Sequence, residues 1–119
     1  MIAHRSGDPS AEQVMVAVET LKILADSTRL QIVWALLHGE HSVGDLAAHV
    51  GARPAAVSQH LAKLRLAGLV RTRREGVRIF YVAHDQHILQ LVEQAMFHAD
   101  HVVDTAADHE LVVHGKSSA

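Results

Sequence analysis

The stretch that decides the fold is Val43-Gly44-Asp45-Leu46-Ala47-Ala48-His49-Val50-Gly51-Ala52-Arg53-Pro54-Ala55-Ala56-Val57-Ser58-Gln59-His60-Leu61-Ala62-Lys63-Leu64. Ser42 stands before it with Asp45 three residues on, a capping-box pattern that predicts a short helix through Val50. Gly51 can end that helix in the left-handed region, where glycine carries no Cβ penalty. Pro54 suits the first turn of a second helix, with Val57, Leu61, Leu64 and Leu66 as its inner face and Gly68 as its end. Two helices joined by Gly51-Ala52-Arg53 make a helix-turn-helix.

Working outward, Val14, Val18, Leu21 and Leu24 recur at three- and four-residue steps and predict a first amphipathic helix. Asp26, Ser27 and Thr28 cap a second, ending near Gly39, with Leu30, Ile32, Val33, Leu36 and Leu37 as core candidates and Trp34 as a packing residue. After Gly68, the β-rich stretches Leu69–Thr72 and Val77–Val82 flank Arg73-Arg74-Glu75-Gly76 and read as a hairpin with a basic tip. A last helix starts near Asp85 and runs past His101, carried by Ile88, Leu91, Val92, Ala95, Phe97 and Ala99. The fold class is mainly α with a small β-hairpin, a winged helix-turn-helix. Residues 1–10 read as a mobile N-terminal tail, 11–108 as the DNA-binding and dimerisation domain, and 109–119 as a His-containing C-terminal tail.

Composition narrows the function. A chain of 119 residues supports one domain, near the size where a partner subunit helps. The absence of Cys excludes disulfides, thiolate metal sites and Cys nucleophiles. No apolar run approaches the roughly 18 residues that span a bilayer, so no membrane role is expected. Met1–Pro9 lacks the apolar stretch of a secretory signal, and the expected location is the cytoplasm.

The formal net charge of −2 conceals a segregation. From Arg53 to Arg78, seven basic residues (Arg53, Lys63, Arg65, Arg71, Arg73, Arg74 and Arg78) face one acid, Glu75, a local balance of +6. From His84 onward there are six acids, one Lys and six His. In a winged helix the second helix of the helix-turn-helix fits the major groove of double-stranded DNA. Ser58, Gln59 and His60 are therefore candidates for base or sugar contacts, and Lys63, Arg65, Arg73 and Arg74 for phosphate contacts. One copy offers few charges, so two copies are expected on an operator.

Leu24-Ala25-Asp26-Ser27-Thr28-Arg29-Leu30, Val43-Gly44-Asp45-Leu46-Ala47, Val57-Ser58-Gln59-His60-Leu61-Ala62-Lys63-Leu64 and Ala67-Gly68-Leu69-Val70 resemble the signature blocks of the ArsR/SmtB family of metal-responsive bacterial repressors. The likeness runs in register from Glu12 to His101. It implies a dimer formed by the first and last helices, and operator DNA released when an inducer binds. Pro54, Ala55 and Ala56 stand where several family members carry polar side chains, which shifts readout towards phosphates and DNA shape.

The acidic half carries metal-ligand chemistry. Asp85 and His87 lie at the start of the last helix, and His98 and His101 near its end; all four are competent ligands for a borderline ion. From His87 to His98 is eleven residues, about 16.5 Å of helix rise, so one helix cannot bring both pairs to one ion. Eleven residues also return to within roughly 20° of the same face. An antiparallel copy would lay one chain's Asp85 and His87 beside the other's His98 and His101, giving two equivalent sites per dimer. The same spacing resembles the interfacial motif of the family's zinc, cobalt and nickel sensors, whereas Ser42 and Gly44 occupy the places of the family's other site, a Cys pair. Three imidazoles and a carboxylate satisfy tetrahedral Zn²⁺ or Co²⁺. His109, His114 and His4 are possible extra ligands that raise the coordination number towards six, as the family's nickel and cobalt sensors do with tail or N-terminal donors, although the tail spacing differs from theirs; on that resemblance the cognate ion is read as Ni²⁺, with Zn²⁺ or Co²⁺ as alternatives. His38, His41, His49 and His84 read as surface or packing residues.

The expected function is a metal-responsive regulator, most simply a repressor released by metal, and not an enzyme. One alternative keeps DNA binding but makes the metal structural, or the protein an activator answering another partner. A remoter one is a metallohydrolase, opposed by the lack of a Glu placed as general base beside the His pair.

Overall fold

Ser10 turns the chain into α1 (Ala11–Leu24) through a reciprocal cap: Gln13 N donates to Ser10 Oγ at 3.0 Å, and Ser10 N donates to Gln13 Oε1 at 2.8 Å. The capping box expected at Ser42 is only half made, with Asp45 N donating to Ser42 Oγ at 3.1 Å as α3 (Val43–Val50) begins. Between these helices, α2 (Ser27–Leu37) starts where Arg29 N donates to the Asp26 carboxylate. The computed structural model describes residues 7–108. Residues 1–6 and 109–119, with His4, His109 and His114, lie outside the described residues.

The helix-turn-helix forms as its sequence dictates. Gly51 ends α3 at φ 70° and ψ 37°, and the N–H groups of Gly51 and Ala52 both return to the Ala47 carbonyl, at 2.9 and 3.1 Å. Arg53 is extended, and Pro54 opens α4 (Pro54–Leu66) at a position where its missing N–H costs no helical hydrogen bond. Ile32, Val33, Leu36, Leu46, Val57, Leu61 and Leu64 are buried where α2, α3 and α4 converge, and Leu24, Leu69, Val70 and Val92 close the core. Leu66 corrects the expected inner face, because it is 91% exposed. It follows Leu64 by two residues, about 200° around the helix, and so points away from the core.

The hairpin is displaced from its expected tip. Strands β1 (Val70–Glu75) and β2 (Arg78–Ala83) pair antiparallel from Val70↔Ala83 to Glu75↔Arg78, so the two-residue turn is Gly76-Val77. Gly76 takes the left-handed conformation there, at φ 64°. Arg73 and Arg74 thus belong to a strand, with Arg73 opposite Phe80. A bridge between His41 and Tyr81 adds a single residue to the other edge of β2, with N–H···O distances of 2.7 and 3.2 Å.

α5 (Gln86–Asp108) begins at Asp85, whose Oδ1 accepts from His87 N at 2.8 Å and Ile88 N at 3.2 Å. Val92 is buried, and Ile88, Leu89 and Met96 pack on the core. Past Met96 the helix leaves the core: Phe97, Val102 and Val103 are exposed, as are Val14, Val18 and Leu21 of α1. The result is a mainly α winged helix-turn-helix with two helices whose apolar faces are open within one chain.

Candidate nucleic-acid interface and metal centre

On α4, Ser58, Gln59, Lys63 and Arg65 are exposed, while Val57, Leu61 and Leu64 anchor the opposite side. His60 sits between those two faces and is half-buried. Its Nδ1 lies 3.0 Å from Arg29 Nη1 and 3.9 Å from Asp26 Oδ2. Arg29 is itself fixed, its Nε donating to the Ile23 carbonyl at 2.7 Å. The Asp26 carboxyl is held below its ordinary value, chiefly by the hydrogen bond it accepts from Arg29 N, with the nearby Arg29 charge adding to the effect and burial opposing it.

Of the expected phosphate-binding residues, Arg74 is exposed and bears no ion pair among the described residues. Arg73 differs. Its Nε and Nη2 both lie 2.7 Å from Glu40 Oε1, its Nη1 lies 3.6 Å from Glu75, and its guanidinium stands 4.9 Å from the centre of the Phe80 ring. Arg78 covers the same ring at 4.8 Å. Neither Arg29 nor Glu40 stood out in the sequence. Their partners are 31 and 33 residues away, and no spacing rule connects them.

The second candidate site has opposite character. His87, His98 and His101 are exposed, and no hydrogen bond or ion pair engages their rings among the described residues. Asp85 spends Oδ1 on the helix cap, which leaves Oδ2 available. No group of three or more candidate ligands close enough for one metal occurs within a single chain among the described residues. The start of α5, at Asp85 and His87, and its middle, at His98 and His101, therefore offer two donors each, half of a tetrahedral set, and the separation along one helix keeps the halves apart. The donor chemistry, imidazoles and a carboxylate, fits a borderline divalent ion. His4, His109 and His114, the possible extra ligands, fall outside the described residues.

Comparison with known proteins fixes the setting. The family described as "Bacterial regulatory protein, arsR family" matches residues 26–72, from the α2 cap through α4 into β1. The HTH-type transcriptional regulator KmtR of Mycobacterium tuberculosis is 45% identical over 119 residues, covering 99% of this chain and 92% of its own length. The chain belongs to the ArsR family. Among solved structures, the AntR antimony-specific transcriptional repressor superposes with a TM-score of 0.74 at 30% identity, over 87% of this chain and 97% of that one. A homodimeric winged helix-turn-helix DNA-binding domain from Mycobacterium bovis, a possible ArsR-family regulator, gives 0.71 at 27% identity over 96% and 97%. As an ArsR-family transcriptional regulator the chain is not an enzyme, and the metallohydrolase alternative falls. No described helix of this ArsR-family chain is long and apolar enough to cross a membrane.

Proposed function

We propose that the protein is a homodimeric, metal-responsive repressor that binds operator DNA through α4 and the hairpin and releases it when a divalent ion bridges the two α5 helices. The observation that supports this reading is the contrast on α5 between a core-packed first half and the imidazoles of His87, His98 and His101, which are exposed and unengaged among the described residues, with His87 and His98 eleven residues apart. Open apolar faces on α1 and α5 support dimerisation through the first and last helices, since they include Val14, Val18, Leu21, Leu91 and Phe97. A regulator of this kind resides in the cytoplasm, with the DNA it reads.

On DNA, Ser58 and Gln59 face the major groove while Lys63, Arg65 and Arg74 take phosphates. Arg73 must first exchange Glu40 for a phosphate. Asp85 and His87 of one protomer, with His98 and His101 of the other, hold the ion, and symmetry gives two such sites per dimer. A bound ion supplies a cross-link between the two α5 helices. The ligand pairs then fix the relative setting of the protomers, and with it the spacing of the two α4 helices, so metal and DNA oppose each other through one reciprocal coupling. Ni²⁺ is the preferred ion, with Zn²⁺ and Co²⁺ as alternatives that geometry must separate.

The test is fluorescence anisotropy with a duplex selected from a random pool by the metal-free protein, titrated separately with Ni²⁺, Co²⁺ and Zn²⁺ at fixed salt. Release by one of the ions is expected, by a factor between about 5 and 150. Affinity unchanged by all three overturns the sensing role and leaves a regulator with a structural metal or another inducer.

A further inference from the structure

We infer that Arg29 is a positioning residue that fixes His60 as the Nε2–H tautomer, so that the recognition helix presents a hydrogen-bond donor to DNA at that position. The inference rests on the DNA-binding reading of α4 and deepens it. Its basis is a contact between two side chains whose chemistry permits only one assignment.

A guanidinium has donors and no acceptor, and it stays protonated in proteins. Arg29 Nη1 lies 3.0 Å from His60 Nδ1, so the ring nitrogen must offer its lone pair. The proton of the neutral imidazole then sits on Nε2. The guanidinium is not free to turn aside, because its Nε is committed to the Ile23 carbonyl at 2.7 Å. Among the described residues, Asp26 is the nearby group that favours the other arrangement, by accepting from a protonated Nδ1. Its Oδ2 is farther, at 3.9 Å, and already accepts from Arg29 N at 3.0 Å. Arg29 thus ties the end of α1 and the flank of α4 together through its side chain, while its backbone N–H closes the cap of α2.

Nε2–H has no partner among the described residues, although the His60 side chain retains only 23% of its accessible surface. A donor so placed is completed from outside the chain. On α4, beside Gln59 and Lys63, the acceptor is a DNA oxygen or nitrogen, either a phosphate oxygen or the N7, O6 or O4 edge of a base. The consequence is one of sign: His60 selects acceptors and rejects donors such as the exocyclic amines of adenine and cytosine.

The experiment has two arms. Long-range ¹H–¹⁵N correlation spectra of the ¹⁵N-His-labelled full chain report the tautomer of His60 directly, with His60→Gln used to assign its signals. The wild type is expected to show the Nε2–H pattern, and Arg29→Met, which keeps the stem and removes the donors, to lose it to a mixture. An Nδ1–H pattern in the wild type, or an Nε2–H pattern unchanged in Arg29→Met, overturns the inference. A thermal melt of Arg29→Met checks folding; should it not fold, Arg29→Lys, which keeps a cationic donor group and loses the fork, is expected to retain a partial Nε2–H preference, and its absence is contrary.

The second arm measures DNA affinity. Gln places an N–H near the position of Nε2, whereas Asn places its amide near Nδ1. His60→Gln is expected to bind a selected duplex within about threefold of wild type and His60→Asn about tenfold or more below it. Equal losses overturn the donor role. Loss on a scrambled duplex of equal length as well identifies a phosphate acceptor, and loss on the selected duplex alone a base. Failure of the wild type to bind any duplex removes the DNA-binding reading and the donor role with it, while the tautomer is still decided by the spectra.

Discussion

The basic α3–α4–hairpin region and the acidic α5 region are both rich in charged and His residues, yet they are finished to different degrees within one chain. In the first, Leu46, Val57, Leu61 and Leu64 are fully buried, His60 is met by Arg29, and Arg73 is met by Glu40. In the second, only Val92 is buried, and His87, His98 and His101 have no partner among the described residues. A reading surface has to be rigid before DNA arrives, so the chain supplies its own supports. On the proposed reading, a metal site shared between two copies needs only half its ligands from each, and the unengaged side chains are those that meet the other copy.

The comparison predicts a hierarchy of mutational effects. The largest belongs to the finished half: Leu61→Ala is expected to cost about 2–5 kcal/mol in urea unfolding, whereas Leu91→Ala, 42% exposed on α5, should leave protomer folding nearly unchanged and weaken dimerisation seen by sedimentation. A Leu91→Ala loss as large as that of Leu61→Ala would mean that α5 is completed within one chain after all. Next, His98→Ala should bind DNA as wild type without metal and lose the metal-induced change, a coupling of about 1–3 kcal/mol, in the anisotropy titration.

Asp85 separates two roles. Asp85→Asn keeps a capping acceptor and should retain thermal stability while weakening metal binding in competition titrations, whereas Asp85→Ala should also lose about 1 kcal/mol of stability. Asp26 tests the supports of α4 by pH. Its carboxyl is depressed in the folded chain, so its stabilisation is present above the unfolded carboxylate value and disappears as pH falls through the folded one. Asp26→Asn should therefore flatten the acid side of a stability-versus-pH curve measured by thermal melts. The smallest effect is at Glu40→Gln: the exposed pair is screened by solvent and should leave stability nearly unchanged, but freeing Arg73 should steepen the dependence of log affinity on log salt by up to about one.

Much of this was legible in the sequence because it depends on local spacing. Gly51 and Pro54 mark the turn of the helix-turn-helix with steric requirements that few other residues meet, and the eleven-residue interval between His87 and His98 fixes their common face wherever a helix runs. Leu66 was misjudged because hydrophobicity counts it as core while helical phase sends it outward, and the hairpin tip was placed two residues early because β-propensity does not register the Arg73↔Phe80 pairing. Arg29–His60 and Arg73–Glu40 were invisible, since each joins residues more than 30 positions apart that only the packed fold brings together.

The central claim, that one metal site is built from two protomers, is tested most directly by mixing two inactive variants. Asp85→Ala/His87→Ala lacks the first ligand pair, and His98→Ala/His101→Ala lacks the second, so neither homodimer can complete a site. A heterodimer of the two combines the intact pairs in one of its two interfaces. Equilibrium metal titration of the mixed, re-associated protein should recover tight binding of one ion per heterodimer. Recovery of none in verified heterodimers, or tight binding by either homodimer alone, would contradict a site shared between the α5 helices.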